Sequence, residues 1–163
     1  MSESWDRVRR RHELVDDVLG DVQREGPAAM SRWHGQLERE YGEEGLGGFL
    51  RDVQRRWQRA FDARLDAVLE RAAGDVEESV VDLWRTVAAL LPASRQLLDT
   101  HADHPALVRG HERQRRMLMV ATGVDLREAL AAQPEPRVAQ PCRFRRRMAR
   151  GWRTRHRLAA QSA

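Results

Sequence analysis

Phe-Leu-Arg-Asp-Val-Gln-Arg-Arg-Trp-Gln-Arg-Ala-Phe-Asp-Ala-Arg-Leu-Asp-Ala-Val-Leu-Glu-Arg-Ala-Ala, residues 49–73, is the stretch that decides the fold class. Phe49/Leu50, Val53, Trp57, Ala60/Phe61, Leu65, Val68 and Ala72 recur in steps of three and four, the period of one face of an α-helix. Arg51, Arg55, Arg56, Arg59 and Arg64, with Asp52, Asp62 and Asp66, cover the other faces. The same apolar face continues through Val76, Val80, Leu83/Trp84, Val87 and Leu90/Leu91 until Pro92. Gly74-Asp75 is either a break with Asp75 as a new N-cap or a Gly tolerated inside one long helix. Residues 49–91 are therefore expected to form the central hairpin or long helix of a core, with Trp57 and Trp84 as wedges within it.

Toward the N-terminus, Gly42-Glu-Glu-Gly-Leu-Gly-Gly48 holds four Gly in seven residues and is expected to be a flexible loop. It lacks the Gly-Lys-Ser/Thr ending of a phosphate-cradling loop and carries two Glu that would repel phosphate. Before it, residues 27–41 read as a helix with Met30, Trp33, Leu37 and Tyr41 on one face. Residues 4–25 form another, in which Trp5, Val8, His12, Val15, Leu19 and Val22 make an a/d seam over three heptads. Gly26-Pro27 ends that helix and starts the next.

Toward the C-terminus, residues 94–100 form a short helical turn with Leu97 and Leu98. His104-Pro105 starts a helix capped by Asp103 or His104, with Leu107, Val108, His111, Leu118 and Met119 expected inward and Gly123 closing it. Asp125 caps a last short helix, 126–132. Three Pro in residues 134–141 then predict an extended linker. No β-alternation of useful length occurs. The expected fold is all-α: a small helical bundle over residues 4–132, a Pro-rich linker at 133–141 and a basic arm at 142–163.

The charge is as uneven as the architecture. From Arg137 to the C-terminus there are nine Arg and no acid, whereas residues 1–136 have 20 Arg against 25 acids. The overall +4 thus divides into −5 and +9. Lys is absent throughout, which fits a GC-rich coding bias and discounts the Arg count, but not the segregation of acids from the arm. One Cys, Cys142, rules out an intramolecular disulfide framework. The polar N-terminus has no apolar h-region, and no apolar run of about 18 residues exists, so a cytoplasmic protein is expected.

Chemistry-bearing patterns are weak. Asp99, His101, Asp103, His104, His111 and Glu112 are the residue types of a metal site. Asp and His are equally caps, the chain has no Glu-x-x-His pair, and Arg115 stands where a His-Glu-x-x-His motif needs its second ligand. No metal, no cofactor and no catalytic residue are expected. Ser31, Ser79 and Ser94 lack a nucleophile-elbow context, and Cys142 reads as an incidental thiol in the arm. Residues 115–130 have the helix, Gly turn and capped helix of a helix-turn-helix, but Gln133-Pro134 stands where a recognition helix should follow.

The arm carries the functional expectation. On a helical wheel Phe144, Met148, Gly151, Trp152, Leu158 and Ala159 share one side, with Arg155 intruding on it. Arg143, Arg145, Arg146, Arg147, Arg150, Arg153, Arg155 and Arg157 supply cations for phosphates, and Trp152 and Phe144 are placed to stack on unpaired bases. Nucleic acid, bound mostly non-specifically, is the expected partner, in a non-enzymatic accessory or regulatory role. The alternatives are a protein partner or second copy on the Trp5–Val22 helix, the chain's own acidic body, and an anionic membrane surface.

Overall fold

A computed structural model describes residues 3–71 and 75–132. Among them there is no strand. Seven α-helices, α1 (Glu3–Glu25), α2 (His34–Tyr41), α3 (Gly45–Arg71), α4 (Val76–Leu90), α5 (Pro92–Thr100), α6 (Pro105–Thr122) and α7 (Leu126–Ala132), are joined by 3-10 turns at Pro27–Trp33 and Gly42–Glu44. The fold is all-α, as expected. The linker, 133–141, and the arm, 142–163, lie outside the described residues.

The long periodic stretch is the hub. Phe49, Leu50, Val53 and Phe61 of α3 are wholly buried, with Trp57 and Leu65 nearly so. Helices α1, α2, α4, α5 and α6 all pack on α3, and α7 closes over α4. Of the two expectations for Gly74-Asp75, the new N-cap holds at Asp75. Asp75 is extended (ψ 110°), and its carboxylate accepts from the N–H groups of Glu77 (2.8 Å) and Glu78 (3.3 Å). That N-cap satisfies donors which a continuous helix would have paired internally. Trp84 crosses back onto Trp57 and Phe61 edge-to-face, at centroid distances of 5.0 and 6.2 Å.

Four expectations change. The Gly-rich stretch is not a loop beyond one 3-10 turn: Gly42 and Gly45, both at positive φ, turn the chain, and Gly47 and Gly48 are buried in the first turn of α3. A Cβ on Gly48 would lie 2.6 Å from the Tyr41 ring, so glycine there serves close packing of α2 on α3. Residues 27–33 are 3-10 rather than α. In α1 the buried face is Leu14, Val15, Val18, Leu19 and Val22, so only the second half of the proposed seam enters the core; Trp5, Val8 and His12 remain exposed.

In α6, Val108 and Met119 face solvent and Gln114 faces inward. The reason is the crossing with α3. Gln54 donates from its amide to the Leu107 carbonyl (3.1 Å), and Gln58 donates to that of Gly110 (2.9 Å). Gly110 sits against the Gln54 carboxamide, where any Cβ would strike it. The closest approach of the two helices selects the Leu107–Gly110–Gln114–Leu118 face.

Two glycines of helical geometry should therefore respond in opposite senses to alanine. Gly110→Ala displaces the buried Gln54 amide and is expected to destabilise by about 1–3 kcal/mol, the scale of an unsatisfied buried polar group. Gly20→Ala in α1 meets only the movable Arg24 side chain and is expected to stabilise by about 0.5–1 kcal/mol. Urea midpoints of the two variants check both signs.

Candidate functional site

All nine residues singled out in the sequence as nucleic-acid contacts, eight Arg from Arg143 to Arg157 together with Trp152, lie outside the described residues. Within residues 3–132 there are 20 Arg and 24 acids, and ten of those Arg lie within 4.0 Å of a carboxylate. Three surfaces of this domain carry arginine side chains.

The first is the outer face of α6. Arg109, Arg113 and Arg116 fall at i, i+4 and i+7, opposite the buried Leu107–Leu118 face, and are exposed. Glu112, Met117 and Val120 lie beside them on the same side of the helix. At 1.5 Å per residue the three Arg positions span about 10 Å of the helix axis. Arg115, on another side, is bound to Asp125 at 2.9 and 2.5 Å, pinning the α6–α7 junction and holding the Asp125 carboxyl below the usual range. Leu126 and Ala129 bury α7, which packs on α4.

The second is a groove between α1 and α3, lined by Val8, His12 and Val15 on one wall and Arg55, Arg56 and Arg59 on the other. Arg56 pairs with Asp16 across it, and Arg55 with Asp52. Asp52 also accepts from the Tyr41 hydroxyl at 2.9 Å; burial, then this carboxylate, pushes the phenol's pKa up. Arg11 lies 4.5 Å from the Tyr41 ring centre and donates to the Glu40 carbonyl at 3.2 and 2.9 Å. These contacts tie the middle of α1 to α2 and leave Trp5 projecting, 74% exposed.

The third surrounds Arg95, whose guanidinium lies 5.2 Å from the Trp57 ring and 4.9 Å from that of Trp84. Arg95 also binds Asp99 with two hydrogen bonds one helical turn on. The cation–π contacts and the ion pair anchor α5 against α3 and α4. They also occupy one member of the metal pattern. His104 is likewise occupied, its Nδ1 accepting from the Ala106 N–H at 3.2 Å as the N-cap of α6. Among the described residues no three His, Cys, Asp or Glu side chains gather as a metal site, and no helix is long and apolar enough to cross a membrane.

Comparison with family models, with curated proteins and with solved structures found no match. The α6 stripe drew no expectation from sequence. Its signal was present in the spacing of Arg109, Arg113 and Arg116, but choosing the outer face required knowing that Val108 and Met119 are not core.

The histidine beside Arg95 gives a pH test. Burial, then the Arg95 guanidinium, lower the pKa of His111 from the ordinary 6.5, against an opposing pull from Asp99. The folded state thus prefers neutral imidazole, so this contribution to stability is complete above about pH 6.5 and declines as pH falls below it. His111→Gln is expected to lose less stability than the parent between about pH 7.5 and pH 5. Equal losses in paired urea titrations would remove His111 as a cause.

Proposed function

We propose that this is a non-enzymatic, nucleic-acid-associated accessory or regulatory protein. Its helical domain is a scaffold, and its residues 142–163 supply the phosphate contacts. The observation that carries the reading is charge segregation: residues 137–163 hold nine Arg and no acid, beside a domain of 20 Arg and 24 acids. Guanidinium groups take phosphate oxygens in pairs, and each contact releases condensed counterions. Affinity of this origin is largely independent of sequence and steeply dependent on salt. Trp152 and Phe144 extend it to single strands by stacking.

A second reading is favoured by Trp5 and Val8, which leave apolar surface exposed at the start of α1. In that reading the protein is an adaptor pairing this helix with a partner helix or a second copy. Salt separates the two, because apolar seams are scarcely screened whereas phosphate contacts are.

Between 50 and 200 mM salt, duplex DNA binding should fall about 10³-fold and single-stranded DNA binding about 300-fold if six Arg contact phosphate. A chain ending at Gln133 should lose most of that dependence while keeping its far-ultraviolet helicity. A full chain that binds neither DNA form at 50 mM salt, yet assembles into a complex stable at high salt, would replace this reading with the adaptor.

A further inference from the structure

We infer that α6 is a second phosphate-contacting face of the protein, an inference that rests on the nucleic-acid reading but not on residues 142–163. Arg109, Arg113 and Arg116 form a straight ridge on the solvent side of α6. Half of the domain's Arg are matched to carboxylates, but none of these three has an ion-pair partner among the described residues. Glu112, the single acid of the helix, stands three residues after Arg109 and four before Arg116 and so offsets one of the three charges. Like charges three and four residues apart repel one another, and this helix retains three in succession. A polyanion laid along the ridge would relieve that repulsion.

The geometry suits a nucleic-acid backbone. Steps of four and three residues place the three Cα positions about 6 and 4.5 Å apart along the axis. One DNA strand carries a phosphate every 3.4 Å or so of its axis, so a ridge of about 10 Å faces roughly three of them. The ridge is also held rigidly. Gln54 and Gln58 bind the Leu107 and Gly110 carbonyls, and Leu107 and Leu118 are buried, so the three cations are presented by a fixed helix rather than a loop. Phosphate contacts made this way position a protein on a duplex without reading its sequence.

The test uses the full chain carrying Arg109→Gln, Arg113→Gln and Arg116→Gln together, titrated with random duplex DNA across salt. The slope of log K against log salt is expected to shrink by about 2.7, at about 0.9 per phosphate contact. The single variant Arg113→Gln should shrink it by about 0.9, which keeps the test valid if the triple variant folds poorly. A control removes the same charge from other exposed, unmatched positions, Arg7, Arg39 and Arg71, and is expected to leave the slope nearly unchanged. An unchanged slope in the α6 variants, with the parent binding normally, overturns the inference and leaves the nucleic-acid reading standing. A parent that does not bind at all overturns both. Loss of poly-glutamate binding with DNA binding intact would reassign the ridge to an acidic protein.

Discussion

The structure depends on the burial of one helix from several sides. Helix α3 carries Phe49, Leu50, Val53, Trp57, Phe61 and Leu65 along a stripe that α1, α2, α4, α5 and α6 share in covering. Each such side chain removed from water is worth about 1.5–3 kcal/mol, so this stripe dominates the stability of a domain otherwise rich in charge. Everything around it is arranged to let the other helices come close. Gly48 admits Tyr41, and Gly110 admits Gln54. The Arg95 guanidinium covers both Trp57 and Trp84, so even the partly exposed edge of the tryptophan pair is shielded by a cation.

Dense packing on α3 has an electrostatic consequence. Most charges of the domain lie on the outer faces of the helices, where i,i+3 and i,i+4 spacing pairs many of them, as in Arg9–Asp6 and Arg9–Glu13. Such exposed pairs contribute little to stability individually, in the range of about 0–1 kcal/mol. Their importance here lies in what they neutralise. Where pairing fails, as along α6, the uncompensated cations become a directional feature of the surface. The domain is a net acid, so that feature stands out against its surroundings, and it carries the same sign as residues 137–163.

Most of the helices were legible in the chain. Asp75 and Asp125 cap where expected, Gly26 and Gly123 stand at helix ends, and the three-four periodicity of residues 49–71 is that of a buried helix. The misreadings share a cause. The Gly42–Gly48 stretch resembles a loop because glycine favours turns, yet Gly47 and Gly48 are selected by what lies against them. Val108 and Met119 resemble core because they are apolar, yet the face of α6 that turns inward is chosen by Gly110 and by the reach of two glutamines from α3. The exposed Trp5 has the same origin, since a seam drawn along α1 does not say how far the partner helices extend beside it.

The sequence by itself determined the all-α class, the position of most helix ends and the segregation of charge, because period, caps and net charge are local properties of the chain. Tertiary structure alone decided which face of each helix is buried and which arginines pair from one helix to another. Those outcomes depend on contacts between residues tens of positions apart. Gln54 with Leu107 and Arg56 with Asp16 are two such contacts, and no window of sequence contains both partners of either.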